Sequence, residues 1–332
     1  MTTSVPLSNR SHIAECPDLY EIFWRKEHLT KVTYKNLVAL ASINSIAVVA
    51  TIFLNALVIF AVATRHRLRT NTTILLACLA VSDLIAGLIV QPVGIAVDVK
   101  RIINEGPFCT LEKIYQAGLL GASFSSISHL VLISLERYIA IKQPLRYEDI
   151  VRKRRLTTGV ILAWAITLVA TIQEIVLAFI DSNTNIYSVY LNVTGSMLAI
   201  IGVLCISTIG YTNGYVFSET QRQKKRIKTE QISSEEAKRI KKDHKAAITL
   251  VLLLSALIFT YVPAIITFLM AASSVNPVEP YILNILWRWA STQFRFVGFS
   301  FKSCYLQLAY EEAAPCFCRI LHLRQPENSP HL

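Results

Sequence analysis

The sequence has little charge. Only 17% of its 332 residues are Asp, Glu, Lys or Arg, against roughly 25% in an ordinary soluble domain, which disfavours a plain globular enzyme. Cysteine is scarce as well: seven are too few for a disulfide scaffold. There is no nucleophile–base set, metal motif or phosphate-binding loop, so neither catalysis nor a cofactor is expected. Residues 1–36 lack the apolar core of a cleavable signal peptide, being interrupted by Arg10, Glu15, Asp18, Glu21, Arg25 and Lys26. Internal repeats and the alternating pattern of barrel strands are missing too.

What the chain does have is oil and positive charge: 53% hydrophobic residues and a formal charge of +11. A nucleic-acid binder would explain the charge but not the apolar excess, so nucleic acid is not an expected partner. A membrane protein explains both. Apolar stretches at about 38–64, 72–97, 111–141, 156–180, 190–217, 246–272 and 281–310 are each long enough to cross a bilayer. Backbone polar groups in lipid must be bonded within the segment, so the spans are helices. The expected fold is an all-α membrane protein, a seven-helix transmembrane domain over 37–310. A polar extracellular segment, 1–36, precedes it, and a short amphipathic surface helix and cytoplasmic tail, 311–332, follow.

Loop charges orient the bundle. Segments 65–70, 142–155, 218–245 and 316–332 share one side and carry 3, 6, 10 and 2 Lys or Arg, 21 of the 33. The opposite side carries 8 basic and 9 acidic residues, which predicts an outside N-terminus and a cytoplasmic C-terminus. The glycosylation sequons at Asn9 and Asn192 fall on the outer side, and a third, at Asn71, falls inside and should stay unmodified.

The most specific segment is Glu136-Arg137-Tyr138-Ile139-Ala140-Ile141-Lys142-Gln143-Pro144-Leu145-Arg146-Tyr147. An Arg at the inner end of an apolar helix is costly to bury and wants a carboxylate, and Glu136 is adjacent. The segment resembles the end of the third helix and the second inner loop of rhodopsin-like (class A) G-protein-coupled receptors, and the resemblance covers about residues 40 to 320. It implies that Arg137 pairs with acids, Glu136 and Asp243, in the resting state, and that release lets the sixth helix swing out. Tyr211, ahead of Tyr215, matches the tyrosine that pairs with Arg137 in the active form, and Tyr310 is retained in the seventh span. Asn55, Asp83, Ser126 and Ser303 match the family's polar core, where the Asp holds sodium or a proton, and Trp164 matches its fourth-helix tryptophan.

The seventh span departs from the family pattern. Leu306-Gln307 replaces Asn-Pro, and Lys302 replaces an Asn. The ammonium of Lys302 is expected to reach Asp83 and stand in for sodium. Pro263 in the sixth span supplies a kink, and Tyr261 lies beside it.

The resemblance implies an extracellular small-molecule, lipid or peptide ligand, a heterotrimeric G protein, arrestin and membrane lipids as partners, and a plasma-membrane location. It puts Gln91, Tyr115, Leu119, Tyr261, Phe268, Thr292 and Phe296 around the ligand. Arg288 and Arg295 near the outer end would suit an anionic head group. Amine receptors carry an Asp where this chain has Leu119, which disfavours a monoamine.

The usual bridge to the second outer loop cannot form, because residues 181–195 hold no cysteine. Cys16–Cys109 is the expected disulfide, with two free thiols as the alternative. Cys316 and Cys318 look like palmitoylation sites. The missing cysteine and missing fifth-span proline resemble the melanocortin, lysophospholipid and cannabinoid group, and the Pro-Leu-Arg-Tyr loop is similar to that of adenosine receptors. The competing readings are a seven-helix retinal protein or proton channel using Asp83 and Lys302, and a receptor-like chain decoupled from G proteins.

Overall fold

Seven helices account for nearly all of residues 31–64, 69–103, 109–179 and 185–229, the parts of the chain that the computed structural model describes. They are α1 (Lys31–Thr64), α2 (Asn71–Ile85), α3 (Gln91–Ile102), α4 (Cys109–Lys142), the single turn α5 (Tyr147–Ile150), α6 (Lys153–Phe179) and α7 (Asn185–Thr229). A π turn, Ala86–Val90, joins α2 to α3. No strand occurs among the described residues. Among the described residues, five spans are long and apolar enough to cross a membrane: α1, the α2–α3 unit, α4, α6 and α7. The chain is a multi-pass, all-α membrane protein with the seven-span bundle expected from its sequence, and spans six and seven and the surface helix lie outside the described residues.

Local chemistry sets the breaks. Thr70 caps α2 by accepting the Thr73 N–H at 3.3 Å. Pro92 has no N–H to donate and would crowd a regular helix. The π turn before it widens the ladder, and the Gln91 N–H reaches back five residues to Ala86. At the end of α4, Gln143 leaves helical geometry because a proline follows it, and Pro144 then opens a short 3-10 turn leading into α5. Hydroxyls inside the spans bond backward to carbonyls four residues earlier, as Thr167 does to Ala163 and Thr220 to Val216.

The core forms around α4. Ile127, Leu130 and Ile133 pack with Leu75 and Leu79 of α2 and with Ile209 and Val216 of α7. Outward faces stay greasy, as with Phe53 and Phe60 on α1 and Ile161, Leu168 and Ile172 on α6. Such surfaces suit lipid rather than water.

The ends differ from the apolar stretches. The fifth span was expected over 190–217, but α7 starts at Asn185 and continues to Thr229, about 18 Å past the apolar stretch. Its added residues are polar yet good helix formers, and Glu219 pairs with Arg222 one turn on at 3.7 Å. Hydropathy marks where lipid ends, whereas the helix ends where backbone bonding does. Asn192 accordingly lies inside α7 and not in a loop.

Candidate functional site

Glu136 lies in the last two turns of α4 and is buried. Both of its carboxylate oxygens are engaged. The Tyr147 hydroxyl, from α5, donates to Oε1 at 2.6 Å, and the Thr72 hydroxyl, from α2, donates to Oε2 at 2.9 Å. Arg137 Nε stands 3.0 Å from Oε2, forming an ion pair rather than a directed hydrogen bond. A carboxylate taken out of water is tolerable only with such partners.

A second layer holds Tyr147 in place. Asn71 Nδ2 donates to the Tyr147 hydroxyl oxygen at 3.2 Å and to the Val151 carbonyl at 3.3 Å. Burial, then the adjoining Glu136 carboxylate, pushes the Tyr147 hydroxyl up to about 12. It remains a neutral donor at any ordinary pH.

Beside this cluster, Tyr138 meets Tyr215 edge to face, ring centroids 5.0 Å apart, and meets Tyr211 at 6.1 Å. Lys142 donates to the Tyr138 hydroxyl and lies 5.7 Å from the Tyr215 ring centre. The Tyr211 residue is 66% exposed and faces Tyr138. Midway along the bundle, Ser126 Oγ donates to Asp83 Oδ1 at 3.4 Å, and Asn55 donates to the Thr51 carbonyl at 2.9 Å. His129, fully buried, stands edge-on to Trp164 with centroids 5.7 Å apart.

The model of the seven-transmembrane receptors of the rhodopsin family matches residues 54–304. The chain belongs to that family. Among relatives, the human (Homo sapiens) histamine H2 receptor is 28% identical over 261 residues, 73% of this chain and 70% of the relative. Dopamine receptor 4 of Caenorhabditis elegans is 31% identical over 176 residues, 53% of this chain. The matched part spans only 32% of that nematode relative. The Drosophila melanogaster dopamine D2-like receptor is 34% identical over 122 residues, 36% of this chain and 13% of the relative. The family is one of receptors, not enzymes.

The receptor brings together Glu136, Arg137 and Tyr138 at one end of the bundle, with Tyr211 beside Tyr138, and places Asp83 with Ser126 farther in. Asn55 is buried on α1 with its amide turned to its own helix. Toward the other end, Gln91 and Tyr115 are buried and Leu119 is partly so. A Cβ at Gly94 would run into the Tyr115 ring, so α3 and α4 approach closely there. Cys109 opens α4.

The expectations for Asn9, Cys16, Asp243, Tyr261, Phe268, Thr292, Phe296, Lys302, Ser303, Tyr310, Cys316 and Cys318 fall on residues outside the described ones. The melanocortin-like lean, drawn from missing features, gains no support from these relatives, which carry amine-receptor names. Sequence reasoning missed Thr72 and Asn71 as donors around Glu136, because their partners are remote in sequence. It missed His129 too, although a histidine within an apolar span was the available signal.

Proposed function

We propose that the receptor sits in the plasma membrane with its N-terminus outside, binds an extracellular ligand, and activates a heterotrimeric G protein by releasing Arg137 from Glu136. The observation that carries this is the Glu136 carboxylate, which holds Thr72, Tyr147 and Arg137 at once. Three separate parts of the chain are thereby tied at one end. Their release is a two-state event that a ligand can bias from afar. Arg69, Arg146, Arg152, Lys153, Arg154 and Arg155 gather near that end, which supports its facing the cytoplasm. Asp243 is the proposed second acid, and arrestin and anionic lipid are proposed to meet the same basic face.

The ligand follows from two facts that pull apart. The relatives are named for histamine and dopamine, which supports a small cationic amine. Leu119 leaves the third span without the acid that amine receptors use there, so a cation needs its counter-charge elsewhere. Reporters for each G-protein class, in cells that display the receptor, test the coupling. Ligand-dependent signal lost in Arg137→Ala supports it, and silence in every channel with surface expression intact defeats it.

A further inference from the structure

We propose that Glu174 of α6 is the anchor for a protonated amine ligand, a counter-charge held on the fourth span in a chain with no acid at position 119. This rests on the receptor reading above and gives its ligand a chemical class and a site.

Helices α4 and α6 run antiparallel, with Leu132 against Gly159, His129 against Trp164, and Gly121 against Thr171. Thr171 sits so close that a Cβ on Gly121 would collide with its Oγ1. Three residues onward along α6, about 4.5 Å toward the outer end, comes Glu174. Three residues back along α4 comes Gly118, the neighbour of Leu119. Glu174 therefore stands level with Gly118, on the side of α4 that Gly121 presents to α6, and Leu119 lies on the other side of that helix.

The residue continues the buried face of α6 through Ala163, Thr167 and Ala170. It is partly buried, while Ile172, Ile175 and Val176 beside it are exposed on the lipid side. Among the described residues none donates to its carboxylate or pairs with it, unlike Glu136, where every oxygen is held. The adjacent Gln173 Oε1 is also buried without a hydrogen-bond partner. An acid inside an apolar span marks a functional site by default. An ammonium brings a charge and donors that none of the described residues brings to this carboxylate.

The test uses the full-length receptor in lipid nanodiscs and reads thermal stabilisation by phenethylamine and histamine, with 2-phenylethanol as the uncharged control. At least one amine raises the melting midpoint of the wild type and the alcohol does not. Glu174→Gln weakens amine binding by about 10- to 100-fold, and Glu174→Asp recovers part of it. Without ligand, Glu174→Gln melts no lower than the wild type, so a lost ligand effect is not lost folding. The proposal is overturned if neither amine stabilises the wild type, or if Glu174→Gln binds as well. Binding is read without any G protein, so silent reporters alongside Glu174-dependent binding would defeat the coupling reading alone.

Discussion

The Tyr147 hydroxyl donates to Glu136 Oε1 at 2.6 Å, joining the loop after the third span to the carboxylate that neighbours Arg137. Tyr147→Phe deletes that donor while keeping the ring. A hydrogen bond to a charged group at a partly exposed site contributes about 1–2 kcal/mol, and the loss falls on the resting form. Ligand-independent signalling in a reporter assay should rise by roughly 5- to 30-fold. Thr72→Val should shift it in the same direction.

The raised Tyr147 hydroxyl also fixes a pH dependence. Its folded-state value, about 12, lies above the ordinary tyrosine value of 10. A raised value means that the contribution is complete below about 10 and is lost as pH climbs toward 12. The melting-temperature gap between wild type and Tyr147→Phe should therefore be constant from pH 6 to 9 and should shrink above 10.

Close approach of α4 and α6 depends on Gly121. Thr171 Oγ1 already bonds to the Thr167 carbonyl at 2.9 Å, and a Cβ at 121 would occupy its space. Gly121→Ala should destabilise the detergent-solubilised receptor by about 1–3 kcal/mol. Adding Thr171→Ala should recover most of that loss, as measured by thermal melting.

Glu136 and Arg137 were legible because an ion pair at the end of an apolar helix is a local pattern, and five spans were legible from hydropathy. Thr72 and Asn71 were not legible as partners of Glu136 and Tyr147, since contacts between remote segments exist only after packing. The π turn ahead of Pro92 and the polar extension of α7 escaped for another reason. Both depend on backbone hydrogen bonding, which hydropathy does not encode.

Sodium offers a separate check on the polar core. Asp83 is buried with Ser126 against it, and we propose that Lys302 supplies the cation there. Basal and ligand-driven signalling should then be insensitive to sodium. A sodium response abolished by Asp83→Asn would contradict this.

We propose that Glu136 restrains Arg137 and that Arg137 engages the G protein. Signalling of Glu136→Gln, Arg137→Ala and the double variant, measured at matched surface expression, tests it most directly. Glu136→Gln should signal without ligand, and Arg137→Ala and the double variant should be silent. A Glu136→Gln receptor no more active than wild type, or a fully signalling Arg137→Ala, would contradict the account.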